Sequence, residues 1–468
     1  MTSADDAPDG ADPKSDARPN VLLVNCHDLG RQLGCYGAGV ETPHVDALAA
    51  EGARFSRSFA TAPQCSPSRG SLLTGLYPHN NGLMGLASRG NWSFDEGVTP
   101  LPALFREAGY GTHLIGVQHA AADAGPWVGV SGRPERLGYE HIDSYGEDIS
   151  LALEVAERFE ERVADMADGA PFFASLGFSE PHRPFRREEV PDEAYERYPP
   201  ESVDPLPYLP DRPGIREDLA ELQALVSATV DPAVGRITEA LDEQGIADET
   251  IVVFTADHGL AMPRAKGTCY DPGIEIPLIV RYPGEVPAGE TYDGLLSNVD
   301  VLPTLCELAG VEPPADLDGR TVAPLLRGDG GAYEPRDHVF AEMTFHGFYD
   351  PMRAIRTEEY KYIRSFWDVP EVNIPPFDSK AAREVRGELC SDSRPMELLY
   401  HLPSDPHEQE TLASDRLIYE PAEYGSEPHP DHADALEELR GRVTAWMAET
   451  DDPLLDGPVE PPFPGLEL

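Results

Sequence analysis

Residues 65–75 read Cys-Ser-Pro-Ser-Arg-Gly-Ser-Leu-Leu-Thr-Gly. Ser66 suits a helix cap, Pro67 suits the first turn, and the run to Leu73 lets the helix continue. Cys65 then stands at a helix N-terminus, where free N–H groups and the dipole favour negative charge. Arg69, one turn on, adds a permanent cation. This order of residues suits a nucleophile that attacks, or carries, an oxyanion. The alternative is a buried cysteine ahead of an ordinary helix. Four further clusters hold groups able to move protons or bind a metal: His27-Asp28, His119, Pro181-His182 and Asp257-His258.

Each of these clusters ends an apolar run, over residues 20–24, 113–117, 171–178 and 250–255. Short continuous apolar runs fit strands buried on both faces, hence a parallel sheet between helices. Helical patterns intervene at 45–51, 151–168 and 217–244. The alternation predicts a doubly wound α/β fold, in which ligands sit beyond the carboxyl ends of the strands. All four clusters fall at that edge. A Gly/Asp-rich stretch after Leu325-Leu326-Arg327-Gly328 reads as a linker. The expected organisation is an acidic, disordered N-terminus (1–18), a catalytic domain (19–330), a smaller C-terminal α+β domain (331–450) and a Pro-rich tail (451–468). In the smaller domain, short strands are predicted around 352–364 and a final helix over 432–448. The Pro-rich stretches 198–213 and 452–464 are expected to be extended surface segments.

The charge balance is extreme, with 36 basic against 84 acidic residues and a formal net charge of −48. Bulk electrostatics therefore excludes nucleic acid and anionic membrane surfaces as partners. With 40% hydrophobic residues the chain still has the means to fold. A surface built to stay hydrated in concentrated salt, as in halophiles, accounts for the acidity, since molar salt cuts the Debye length to roughly 3 Å. Six scattered cysteines, at 26, 35, 65, 269, 306 and 390, give neither a Cys-x-x-Cys zinc pattern nor a disulfide scaffold. No signal-like or membrane-spanning apolar run is present, and a cytoplasmic location is expected.

The string from Cys65 to Gly75 resembles the sulfatase signature Cys-x-Pro-Ser-Arg with a following Leu-Thr-Gly. The resemblance extends through residues 21–37, Thr42-Pro43-His44-Val45-Asp46, Phe254-Thr255-Ala256-Asp257-His258-Gly259, Leu399-Tyr400 and Asp405-Pro406-His407-Glu408. Pro78-His79-Asn80-Asn81-Gly82 is most similar to the heparan N-sulfatase (sulfamidase) branch. The resemblance implies an alkaline-phosphatase-like doubly wound, mostly parallel sheet with a smaller C-terminal α+β domain. It implies that Cys65 is oxidised to formylglycine, an aldehyde whose hydrate is the nucleophile. It implies a Ca2+ site, or one for another divalent metal, formed by Asp28, residue 65, Asp257 and His258, with His27 where the family has its first aspartate. Arg69 would orient the formylglycine, and Lys266 would bind sulfate. His119 would take the proton of the hydrate, and His182 would protonate the leaving group, for which a pKa near the unperturbed value of roughly 6.5 is suited.

Two positions depart from the family pattern. His27 in place of an aspartate removes a negative charge and offers a softer donor. Val117 replaces the lysine that precedes the family's histidine. His79, His346 and Arg353 are candidates for substrate contact, the last two from a segment that resembles a sulfamidase pocket. The implied partners are a sulfated small molecule or sugar and a formylglycine-generating maturation enzyme. Two other readings remain open: a phosphodiesterase or phosphonate hydrolase on the same scaffold, and a non-catalytic sulfoglycan-binding protein.

Overall fold

The computed structural model describes residues 18–88, 92–121, 134–143, 151–185, 190–368, 379–389, 394–413 and 430–462. The acidic stretch 1–17, Cys390 and the end of the tail lie outside them. Eight strands form the main sheet: β1 (Asn20–Cys26), β2 (Ala53–Phe59), β3 (Gly111–Gly116), β4 (His141–Asp143), β5 (Phe172–Gly177), β6 (Thr250–Ala256), β7 (Glu275–Arg281) and β8 (Glu290–Ser297). Their order is β4-β3-β5-β1-β6-β7-β2-β8, and only β7 runs against its neighbours. The four runs read from the sequence are therefore adjacent, as β3-β5-β1-β6, and mutually parallel. β5 and β6 are buried along their whole length, as non-alternating apolar strands between two layers must be.

Helices cover both faces. The helix Ala152–Ala167 buries Val155, Phe159 and Val163 along one stripe. The single helix expected over 217–244 begins earlier, at Pro213, and contains a wide π turn at Val226–Val230 before continuing over Asp231–Glu243. Pro232 is the physical reason: it lacks the N–H that the α ladder needs, and the wide turn absorbs the mismatch. The signature forms helix α2 (Cys65–Thr74), preceded by α1 (Pro43–Glu51) and followed by the short turn α3 (Pro78–Asn81). Ser66 does not cap α2, contrary to expectation. Gln64 holds the cap position, and Ser66 Oγ accepts from the Ala87 N–H instead.

A second, antiparallel sheet has the order β12-β11-β10-β9, from β9 (His338–Phe345), β10 (Tyr349–Thr357), β11 (Tyr360–Ser365) and β12 (Glu397–His401). The final helix, Ala433–Glu449, packs Leu436, Leu439 and Val443 onto Ile355, Tyr362 and Leu399. Val339, Ala341, Met352 and Ile363 of this sheet belong to the same apolar core as Leu22, Val252 and Phe254 of the main one. Both Pro-rich stretches are more buried than expected. Tyr198, Val203, Leu206, Tyr208 and Leu209 enter the core, and Asp452 is buried against Arg353. Proline count marks extended backbone, but the apolar side chains between the prolines decide where that backbone lies. Among the described residues, no helix is long and apolar enough to cross a membrane.

Candidate active site

The parallel register of β1 on β6 pairs Cys26 with Ala256, so His27-Asp28 and Asp257-His258 leave the sheet side by side. Asp28 adopts φ 58, a conformation costly for a residue with a Cβ. The turn is held by Asp257 Oδ1, which accepts from the N–H groups of Asp28 and His258, each at 2.9 Å. Gly259 is required beneath it, because a Cβ there would lie 1.8 Å from the Pro272 carbonyl oxygen. Helix α2 brings Cys65 to the same point. Ser68 Oγ donates to the Asp257 carbonyl, and Arg69 Nε donates to Asp257 Oδ2 at 3.1 Å.

Ligand atoms of His27, Asp28, Cys65, Asp257 and His258 all lie within 4.8 Å of one another, and all five residues are buried. Cys65 Sγ is 2.9 Å from His27 Nε2 and 3.5 Å from His258 Nε2. His258 Nδ1 lies 2.9 Å from the Gly259 carbonyl, which can only accept, so the proton is on Nδ1 and a lone pair is on Nε2. That lone pair stands 3.2 Å from Asp28 Oδ1. Burial lowers the pKa of His258, which keeps the ring neutral. Two facing acceptors with no proton between them fit a cation. The oxygens of Asp28 and Asp257 with one imidazole suit a hard or borderline divalent ion. His27 Nε2, 3.3 Å from Asp257 Oδ2, lies within the same group, and burial followed by His182 and His119 lowers its pKa far below the ordinary value.

Two buried cations flank the group. Lys266 Nζ reaches both oxygens of Asp28 at 2.7 and 2.9 Å, and Arg69 holds Asp257. They do not make Cys65 a thiolate. Burial outweighs them and pushes the thiol up to about 12, so the helix N-terminus leaves the cysteine protonated at neutral pH.

His119, just past β3, packs edge-on to His27 with ring centroids 4.8 Å apart. It too has positive φ, and its buried Nε2 has no hydrogen-bond partner. Burial, then Arg69 and His182, lower its pKa far below the ordinary value. His182 stacks on His27 at 4.2 Å, with Nε2 3.8 Å from Asp28 Oδ2. Its pKa is about 4 rather than the ordinary histidine value expected, because burial and then Lys266 disfavour the charged ring.

The three candidates for substrate contact separate. His346 is buried at the β9–β10 turn beside Lys266-Gly267, and a Cβ on Gly267 would lie 3.4 Å from its Nδ1. His79 and Arg353 are elsewhere. Every nitrogen of Arg353 is engaged inside the protein, by Asp452, Met343 O, Met352 O and Thr344, and the side chain is fully buried. His79 is bonded to Glu342 and Thr450. Sequence reasoning missed Asn298, whose Nδ2 donates to both Ser68 O and Ser68 Oγ at 3.0 Å. Its Oδ1 accepts from Thr61 N–H, also at 3.0 Å, so it fixes the start of α2. The signal was present: β8 also ends an apolar pair, Leu295-Leu296, in a polar cluster.

A doubly wound sheet with a buried carboxylate and histidine group, two cations and a residue at a helix N-terminus defines a hydrolase-type anion site of the alkaline-phosphatase-like class. The chain belongs to the sulfatase family, whose model matches residues 19–311. A second model, N-sulphoglucosamine sulphohydrolase C-terminal, matches residues 264–384. The human N-sulphoglucosamine sulphohydrolase is 28% identical over 504 residues, covering 94% of this chain and 92% of its own. A Bacteroides thetaiotaomicron protein described with that organism's metabolism of multiple glycosaminoglycans superposes with TM-score 0.74 at 21% identity, covering 94% and 98%. The phosphonate monoester hydrolase of Agrobacterium radiobacter superposes with TM-score 0.69 at 23% identity, covering 92% and 96%, which shows a shared fold.

Proposed function

We propose that this sulfatase hydrolyses N-sulfate or O-sulfate groups on a sugar, with glucosamine-type units as the first substrates to test. The observation that carries the reading is the convergence of Asp28, Asp257, His258 and residue 65 within 4.8 Å, next to the ammonium of Lys266. The match to the N-sulphoglucosamine sulphohydrolase C-terminal model supports the sugar and the N-sulfate. A divalent ion held by Asp28, Asp257 and His258, with calcium as the first choice, would polarise the sulfuryl group. Residue 65, matured to formylglycine by a dedicated enzyme, would supply an oxygen nucleophile, which the protonated Cys65 thiol does not.

The remaining work falls to the chain itself. Lys266 neutralises charge on a sulfuryl oxygen, and Arg69 holds Asp257 in place. His119, neutral and with an unpartnered Nε2, takes a proton at that nitrogen. His182 is neutral before substrate binds, and the negative charge of a bound sulfate ester would favour its imidazolium, which would then give a proton to the leaving nitrogen or oxygen and return to the neutral ring. His346 faces the sugar. The acidic surface supports a working environment of concentrated salt and, with it, a cytoplasmic location. Comparing kcat/KM for glucosamine N-sulfate, glucosamine 6-O-sulfate, an aryl sulfate and a bis-aryl phosphate, in high salt with calcium, tests the reading. Sugar sulfates should lead. A faster phosphodiester would replace the reading with the phosphohydrolase, and O-sulfate without N-sulfate activity would remove the N-sulfatase branch.

A further inference from the structure

His79 and Arg353 belong to a second buried group that the reaction does not use. His79, Glu342 and Asp452 place ligand atoms within 4.8 Å of one another, and Arg353 completes the cluster. The turn α3 brings His79, β9 brings Glu342, β10 brings Arg353, and the segment after the last helix brings Thr450 and Asp452. Asp318 faces the same turn through Asn80 and the Tyr77 N–H. Tyr77 and Trp446 pack against the ring itself.

Hydrogen bonds and charge together point to the state of the ring. His79 Nδ1 faces a Glu342 carboxylate oxygen, which accepts. His79 Nε2 lies 2.8 Å from Thr450 Oγ1, which also lies 2.6 Å from the Trp446 carbonyl, so its single hydrogen can go to either. With that hydrogen on the carbonyl both ring nitrogens donate, as only the doubly protonated ring can, whereas turned to Nε2 it leaves the ring neutral. Charge balance favours the first arrangement. Glu342 and Asp452 are two buried anions, and Arg353 alone would leave one of them uncompensated. With both cations in place, a metal ion has no role here.

The cluster is linked to the active site by β9. Glu342 N–H donates to Thr61 O at 2.7 Å, and Gln64 Nε2 donates to Phe345 O at 3.2 Å, so the strand is tied to the loop that leads into α2. β9 ends at Phe345, and His346 beside Lys266 follows directly. The start of α2 has further anchors in Asn298, Ser68 and Arg69, none of them made by a side chain of this cluster. We infer that His79 is a buried imidazolium which, with Arg353, clasps β9 and the chain at 450–452 together, and that this clasp sets the position of the His346 turn. His79 is thus a positioning residue for sugar binding, an assignment that rests on the sulfatase reading only in its kinetic consequence.

The test has two arms on the full chain. Long-range 1H–15N spectra of histidine-labelled protein distinguish an imidazolium from a neutral ring, and Thr450→Val identifies the His79 signals by shifting them while keeping the ring. The expected result is an imidazolium at neutral pH; a neutral ring overturns the proposal whatever the enzyme's substrate. His79→Gln, with a single amide donor, should raise KM for a sugar sulfate about fivefold or more, while kcat on a small aryl sulfate stays within about twofold. Where His79→Gln does not fold, Thr450→Val carries the same kinetic comparison. Equal losses on both substrates mean a general structural role, and unchanged KM means the clasp does not reach the turn; either result overturns the positioning role.

Discussion

Replacing Lys266 by Met removes a charge and little volume, and it should move stability and metal affinity in opposite directions. Lys266 Nζ sits 2.7 and 2.9 Å from the two oxygens of Asp28, and both side chains are buried. Burial drives each group towards neutrality, yet their attraction wins: the Lys266 pKa is raised and the Asp28 pKa is held well below the usual carboxylate range. Deleting one partner of such a pair costs about 3–5 kcal/mol, because the remaining charge is uncompensated. In a chain of this size that corresponds to a fall in Tm of about 5 °C in chelator. A divalent ion at Asp28 would compensate the carboxylate just as the ammonium does, and in the parent protein it would compete with Lys266 for it. Calcium should therefore bind Lys266→Met at least about tenfold more tightly, close to 1.4 kcal/mol, and should restore most of the lost Tm. Turnover should nonetheless fall by about 10²–10³, since no ammonium meets the charge that develops on the sulfuryl oxygen. Thermal unfolding in chelator and in graded calcium, with calorimetric titration of the metal, measures each quantity. A variant as stable as the parent in chelator, or one that binds calcium more weakly, refutes the competition between ammonium and metal.

Cys65→Ala should abolish turnover with Tm within about 2 °C of the parent, and peptide mass spectrometry should find an aldehyde at residue 65 in active protein; an active alanine variant would end the formylglycine assignment. Glu408 is buried beside Asp271, and burial and then Asp271 push its pKa up to about 8. A raised carboxylate pKa favours the fold below the unfolded value near 4.5 and withdraws that support as pH rises through about 8. Glu408→Gln, which mimics the protonated acid, should therefore flatten the fall in Tm between about pH 4.5 and 8, and an unchanged slope there would contradict this. With a net charge of −48, Tm should rise steadily from dilute buffer to molar KCl, and equal shifts in glycerol would argue against charge screening. His27→Asp alone and Val117→Lys alone should each depress activity more than the double exchange does, as measured by kcat/KM on one sulfate ester; additive losses would refute compensation between the two positions.

Much of the fold was legible because its central strands announce themselves twice. Runs 20–24, 113–117, 171–178 and 250–255 are apolar without alternation, and each stops at a polar pair or a histidine. Those four strands are the contiguous middle of the sheet, where burial on both faces leaves the least freedom in composition. The strands towards the β8 side were harder to read. β2 reads Ala-Arg-Phe-Ser-Arg-Ser-Phe, and its arginines point to solvent-side partners, so its strand character comes from pairing with β7 and β8. Proximity across long sequence separation was equally hidden in what became the clasp. Nothing local in Pro78-His79 or Asp452 says that they meet, and a histidine next to a signature motif looks the same whether it faces substrate or a buried glutamate. Environment also overrode two chemical expectations. The helix N-terminus did not lower the Cys65 pKa, and His182 did not keep an ordinary one, because both sit where burial outweighs the neighbouring charges.

The two departures from the family pattern are better understood together than singly. An aspartate replaced by His27 takes one negative charge from the site, and a lysine replaced by Val117 takes one positive charge. The sum is unchanged. The exchange is also local, since Val117 lies two residues before His119, whose ring packs 4.8 Å from His27. His27 is held neutral by burial and by His182, His119, Arg69 and Lys266, so the ring adds no charge of its own. The remaining ions, Asp28 and Asp257 against Lys266 and Arg69, balance before any metal or substrate arrives. A divalent ion held by Asp28, Asp257 and His258 would make the site a net dication, which a sulfate ester with one negative charge would only partly cancel. That excess is what a sulfuryl transfer requires as charge gathers on the leaving atom. A site can thus lose one aspartate and one lysine and keep the electrostatics on which its chemistry depends.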